Sequence, residues 1–306
     1  MADSAHAHAS HDPLASDHLI GHVKDAHYFE VPRALSPDGS GKIHIPQPFM
    51  KSHTGSAPPA ADAILEPFEF KITKFMVLEL VVAVLAIVIF TRLANRMSKG
   101  GAPKGRSWNF LEAMLLFIRD QVARPAIGHH DADKFLPFLW TMFFFVLGCN
   151  LLGMVPWAGS ATGALGTTLT LACITFGVVV GAGTAKMGPI GFWIGQVPHM
   201  DLPLPLAILL KPMIFVIEVV GMLIKHFILA MRLLANMMAG HLVLAVIMAF
   251  IAASVTAGVG AWIGVSTASV LGATALSLLE LFVAFLQAYI FTFLSALFIG
   301  MAVHPH

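Results

Sequence analysis

The sequence predicts an all-α integral membrane protein. About five membrane helices and one amphipathic surface helix are expected, with the last two membrane helices long, steeply tilted and paired as a hairpin. Three observations carry that expectation. The 306-residue chain is 57% hydrophobic and 11% charged, where soluble domains carry about a quarter charged residues. Its apolar runs repeatedly reach the ~20 residues needed to cross a bilayer core. Charge is also unevenly placed: the last of the 18 Lys and Arg residues is Arg232, and the only acid beyond Glu218 is Glu280. A net charge of +1 gives no electrostatic footing for nucleic acid. Cys149 and Cys173 both lie in apolar runs, where a small buried thiol is the expected state rather than a disulfide or a metal pair.

Two domains are expected. Residues 1–70 are rich in Ala, Ser, Asp, Pro and Gly and hold eight of the 15 histidines. They read as a polar, His-rich N-terminal extension outside the membrane, with short local structure around "HYFEVPRAL". Residues 71–306 form the membrane domain. Its first span, 75–94, carries Arg92 at its end and is followed by Arg96, Lys99, Lys104 and Arg106, so the positive-inside rule places that loop in the cytoplasm and the N-terminus outside. Glu79 lies near the outer end of this span, and two readings stand: snorkelling to the interface, or lining a polar path. Phe110, Met114, Leu115, Ile118 and Val122 recur at helical spacing beside Glu112, Arg119 and Asp120, which predicts an amphipathic helix over about 107–124 on the cytoplasmic face.

Spans at about 136–156 and 164–184 follow, joined by the uncharged "WAGSATGA". "MGPIGFWIGQVPHMDLPLP" is punctuated by Gly and Pro and reads as a cytoplasmic connection. The last two spans, 206–254 and 260–303, are each about twice the length a bilayer requires. They must tilt steeply or break. "ASVTAGVGAWIG" between them is the expected turn, which leaves the C-terminus in the cytoplasm.

The chemistry gathers on these two helices. At 100° per residue, Glu218, Lys225 and Arg232, each seven apart, fall within about 40° of one another, and Asn236 joins the same line. His241 points about 180° away from Arg232, and Glu280 and Gln287 share a face of the final helix. A mid-membrane arginine costs ~2.5–3.5 kcal/mol to insert and stays charged. Asn236 and Gln287 are adequately explained as polar glue between helices. Arg232, with no acid within ten positions, fits a role of attracting and releasing a carboxylate from another chain. His241 and Glu280 lie at similar distances from the turn, so an antiparallel hairpin sets them face to face, either as a simple hydrogen-bonded pair or as a proton-handling pair.

"MRLLANMMAGHL" (231–242), "LELFVAFLQAYIFTFLSALFIG" (279–300) and, more weakly, "NLLGMVP" (150–156) resemble the a subunit of rotary F-type ATP synthases over about residues 135–303. The resemblance implies a proton-translocating stator subunit that forms two aqueous half-channels against a ring of c subunits. It also implies peripheral-stalk b subunits and a soluble catalytic head as partners, with lipid around the whole. Arg232 matches the family's essential arginine, and Asn236 and Gln287 match polar residues beside it. His241 and Glu280 match a coupled pair of the outer half-channel, in the order found in mitochondrial members. Asn150 matches a channel-lining position, and Glu218 and Lys225 match positions toward the cytoplasmic half-channel. Bacterial members often carry an acid where Gly153 stands, so that group is absent here or supplied elsewhere. No cofactor, no metal and no catalytic residue is implied, and the implied location is a bacterial plasma membrane. A stand-alone ion channel or secondary transporter is the alternative, but the internal repeats or Gly/Pro-broken helix pairs that a transporter would show are not seen in the sequence.

Overall fold

The computed structural model describes residues 28–30, 42–46, 72–98, 105–155, 159–197 and 204–304. Most of the expected N-terminal extension, with Lys99 and Lys104 of the basic loop, lies outside the described residues. Within the extension, strands β1 (Tyr28–Glu30) and β2 (Lys42–His44) pair antiparallel, with Tyr28 opposite His44 and Glu30 opposite Lys42. The rest is helical. Helix α1 (Lys74–Ser98) is followed by α2 (Arg106–Phe117), a π-helical turn over Ile118–Ala123, and α3 (Arg124–Ile127). Next come α4 (His129–Gly153), a 3₁₀ turn over Ala161–Gly163, α5 (Leu165–Met187) and the short α6 (Pro189–Ile194). Helix α7 (Leu204–Ser254) and helix α8 (Val259–Val303) complete the chain. Among the described residues five helices, α1, α4, α5, α7 and α8, are long and apolar enough to cross a membrane.

The final pair has 51 and 45 residues, roughly 75 and 70 Å of helix at 1.5 Å per residue, against a hydrocarbon core of ~30 Å. The chain reverses between them at Gly258, whose φ of 96° suits a residue without Cβ. Pro212 lies within the first turns of α7 and does not end it, as neighbouring groups in membrane helices commonly accommodate a missing N–H. Helix α6 forms inside the Gly/Pro-punctuated connection, with Pro189 in its first turn, where its fixed φ favours a helix start and its missing N–H would have had no partner.

The two long helices are buried to different extents. Half of the apolar window of α8 is buried but only 22% of that of α7. The core takes Leu139 and Val146 from α4, Leu229 and Leu233 from α7, and Phe291 and Ile299 from α8, all essentially inaccessible. Leu171 and Val179 of α5 complete it. A smaller cluster of Phe75, Leu78 and Val82 holds α1 against Cys149 and Ala161. Cys149 is buried, whereas Cys173 is exposed. The expectation of two buried thiols thus holds for one only, because Cys173 stands on an exposed face of α5.

The amphipathic segment divides in two. Ile118 and Val122 enter the core, and Phe110 remains 57% exposed. The segment is fastened by Trp140 Nε1 donating to Leu115 O at 3.0 Å and by Arg96 stacked 4.7 Å over the Trp108 ring. Asp120 accepts from Arg119 and Arg124, and the Arg119 hydrogen bond holds its carboxyl below the usual carboxylate range. At the same end of the bundle Asp131 joins α4 to α5 through Lys186, 2.6 Å away, and His304 Nε2 bonds Ile127 O at 3.1 Å.

Candidate functional site

The inner face of α7 is set by His226, Leu229, Ala230, Leu233 and Met237, all buried. On a 100° helical wheel these span about 60–160° from Arg232, so the polar line runs along the border of that face. Arg232 is exposed, as is Lys225, while Glu218 and Asn236 are half-buried. Among the ion pairs of the described residues none includes Arg232. Around it α7 shows Leu223, Ile224, Phe227, Ile228 and Met231 to the outside. A guanidinium therefore sits alone in an open apolar face.

Behind that face, Glu280 of α8 is 7% exposed and fits because position 240 has no side chain. A Cβ on Gly240 would lie 2.8 Å from Glu280 Oε1. His241, the next residue, lies close enough for the two charges to interact. The hairpin thus brings His241 and Glu280 together. Gln287, two turns along α8, is buried as well. Glu280 Oε1, His241 Nε2 and Gln287 Nε2 are buried without a hydrogen-bond partner among the described residues. Leaving such a group unpaired costs ~1–3 kcal/mol, so each of these buried polar atoms calls for an explanation.

Asn150 connects this region to α4. It is fully buried, donates to Ala284 O at 3.3 Å and accepts from Thr162 Oγ1 at 2.8 Å. Ser160 extends the network to Thr162 at 3.0 Å. Ser160 also occupies the space beside Gly153: a Cβ there would lie 2.8 Å from its hydroxyl and 3.1 Å from its Cα. An acid at position 153 has no room while this turn keeps its shape. The other carboxylate in this half among the described residues is Glu79, which accepts from Thr167 Oγ1 at 2.6 Å. It lines a cavity of about 680 Å³ with Thr73, Thr141 and Thr170. Most of the remaining lining of that cavity is apolar, including Phe138, Met142, Leu171 and Ile174.

A second cavity, of about 360 Å³, lies at the opposite end of the bundle, where α8 finishes. Glu218, Lys225, His226, Gln196 and His304 line it. The structure thus sorts the eight sequence-predicted residues into three places. Asn150, His241, Glu280 and Gln287 lie behind α7, Arg232 with Asn236 at its border, and Glu218 with Lys225 in the far cavity.

Sequence reasoning missed Ser160 and Thr162, whose uncharged loop carried no signal, and His226. A signal for His226 existed: it follows Lys225 directly and lies eight residues after Glu218, near the same side of the helix.

A family model described as ATP synthase A chain matches residues 76–300. Among curated relatives, ATP synthase subunit a of Myxococcus xanthus (strain DK1622) is 39% identical over 283 residues, covering 92% of this chain and 88% of the relative. ATP synthase subunit a of Chloroherpeton thalassium (strain ATCC 35110 / GB-78) is 37% identical over 296 residues, covering 96% and 78%. That of Anaeromyxobacter sp. (strain Fw109-5) is 33% identical over 317 residues, covering 99% and 74%. A multi-pass helical membrane protein with this match across its membrane domain belongs to the ATP synthase A chain family.

Proposed function

We propose that this chain is the proton-translocating stator subunit of an F-type ATP synthase, non-catalytic itself, forming two aqueous half-channels against a ring of c subunits. The observation that carries the reading is the place of Arg232: exposed on the apolar face of α7, free of ion pairs to the described residues, and between two polar regions at opposite ends of the bundle. An arginine so placed suits a carboxylate that belongs to another protein and passes by.

In this mechanism a proton arrives from outside through the region of Asn150, Glu280 and His241. It neutralises a ring carboxylate, and the neutral site then rotates into lipid, where a charged one is excluded. After nearly a full turn the carboxylate meets the other half-channel, loses its proton past Lys225 and Glu218, and returns ionised to Arg232. The fixed positive charge stabilises the bare carboxylate and repels a proton moving straight between half-channels. Asn236 lies one turn from the arginine on the same line of α7, and Gln287 adds a buried polar group behind it with Glu280. Each elementary charge moved is worth about 2.3 kcal/mol per 100 mV, which the ring delivers as torque to the soluble head.

The same reading sets the N-terminal extension outside and the C-terminus in the cytoplasm of a bacterial cell. It adds peripheral-stalk b subunits as the hold against rotation. The test is ATP-driven acidification of inverted vesicles, native against Arg232→Ala, with passive proton leak followed after the soluble head is stripped. Pumping should fall to background with the complex still assembled. Native pumping by Arg232→Ala would reduce the arginine to a structural role and end this reading, and rotor-independent proton flux through the isolated chain would favour a stand-alone channel.

A further inference from the structure

We infer that His226 is a proton-accepting residue of the cavity where α8 finishes, receiving protons released beside Lys225 and passing them toward the aqueous end. The inference rests on the proposed half-channel reading and adds to it a residue that the family resemblance did not bring forward. His226 is 4% exposed, so its imidazole has been withdrawn from both lipid and open water. Its Nδ1 lies 2.8 Å from Met222 O. A carbonyl only accepts, so Nδ1 must carry a proton, and in the neutral ring Nε2 then holds the lone pair. That Nε2 is buried and has no partner among the described residues.

The ring is fixed in place by aromatics. Phe176 of α5 stands edge-on at 5.2 Å and Phe298 of α8 is tilted at 4.8 Å. A purely structural histidine would be expected to use both nitrogens, or to be a phenylalanine among such neighbours. This one keeps a buried basic nitrogen unpaired among the described residues, in a residue that lines a cavity with Glu218, Lys225, Gln196 and His304. The titratable and charged groups around that cavity are Glu218 and Lys225 from α7 and His304 at the end of α8. The contributions of α5 and α6, Val179 and Phe192, do not titrate, and Gln196 is neutral. Lys225 lies on the side of α7 that also carries Arg232, and Glu218 lies two turns toward the start of α7. His226 is thus set beside the line that carries Glu218, Lys225 and Arg232, in the wall of the cavity that Glu218 and Lys225 also line, where an imidazole can take up a proton and pass it on.

The test uses the assembled complex in vesicles carrying native chain, His226→Phe, His226→Gln or Arg232→Ala. ATP-driven pumping is recorded while the pH is varied on one side at a time. His226→Phe preserves the aromatic packing, and His226→Gln preserves a polar group, but neither titrates near neutrality. Both should pump several-fold more slowly. Both should also lose the part of the pH dependence of rate that an imidazole confers, near or below its ordinary value of about 6.5, on the side where the cavity opens, and keep the dependence on the other side. A merely structural histidine would not produce that one-sided loss. Native rates and native pH profiles in both variants, with Arg232→Ala inactive, would overturn the role of His226 and leave the half-channel reading standing. Native pumping by Arg232→Ala would instead remove the reading on which the inference rests. Should His226→Phe fail to assemble, His226→Gln decides the question.

Discussion

Gly240 shows how much a single missing side chain decides. It sits on the inner face of α7, and Glu280 fills the space its Cβ would take, with Oε1 2.8 Å and Cδ 3.1 Å from that point. Alanine favours a helix over glycine by up to ~1 kcal/mol, and the atom it meets is the movable end of a side chain. Gly240→Ala should therefore leave thermal stability within ~1 kcal/mol of native while cutting proton pumping several-fold, because the carboxyl is pushed away from His241. Stability is read from thermal unfolding of the solubilised complex and pumping from vesicle acidification. Unimpaired pumping would mean that Glu280 needs no fixed position. Gly153 is the contrasting case, since its neighbour is Ser160 with its Cα only 3.1 Å away, and backbone cannot step aside as a carboxylate can.

At the scale of elements, helix crossings are set by such small residues. Gly300 of α8 lies against Ala126 of α3 so closely that a Cβ would fall on the Ala126 carbonyl oxygen. Gly183 of α5 likewise receives the ring of Phe192 from α6. Gly300→Val should destabilise the chain by about 1–3 kcal/mol, because the obstacle is backbone and the two helices must part. Thermal unfolding in detergent reads this, and an unchanged midpoint would show that the crossing is looser than its geometry implies. The amphipathic segment follows the same logic. Its apolar spacing is regular, yet Ile118 and Val122 are fully buried in the core while Met114 only packs against it and Phe110 stays exposed, because the π-helical turn and α3 carry the chain inward where α2 stays at the surface.

For the whole molecule, the notable quantity is the surface left uncovered. Helix α7 buries 22% of its apolar window, and its outward Ile224 and Ile228 flank the Arg232 line. If a ring of c subunits runs against this face, a cysteine at Ile228 should crosslink to the ring under oxidation. A cysteine at Leu229, 1% exposed, should not. Equal crosslinking at both positions, or at neither, would place the rotor elsewhere. The end of the bundle where α8 finishes is tied together by Asp131 with Lys186 and by His304 with Ile127.

Five spanning helices, the oversized final hairpin and the isolation of Arg232 were determined by sequence alone. Each follows from the high cost of placing charge in hydrocarbon, which confines polar residues to a few legible positions. Helical periodicity likewise put Glu218, Lys225, Arg232 and Asn236 on one line, and the turn at Gly258 made a meeting of His241 with Glu280 foreseeable. What only the tertiary structure decided is which polar groups are buried, and beside what. The ties from Asn150 to Thr162 and Ala284, the occupation of the Gly153 site by Ser160, and the free nitrogen of His226 depend on helices far apart in sequence. Periodicity orients a side chain on its own helix, but the neighbour it meets is chosen by packing between helices.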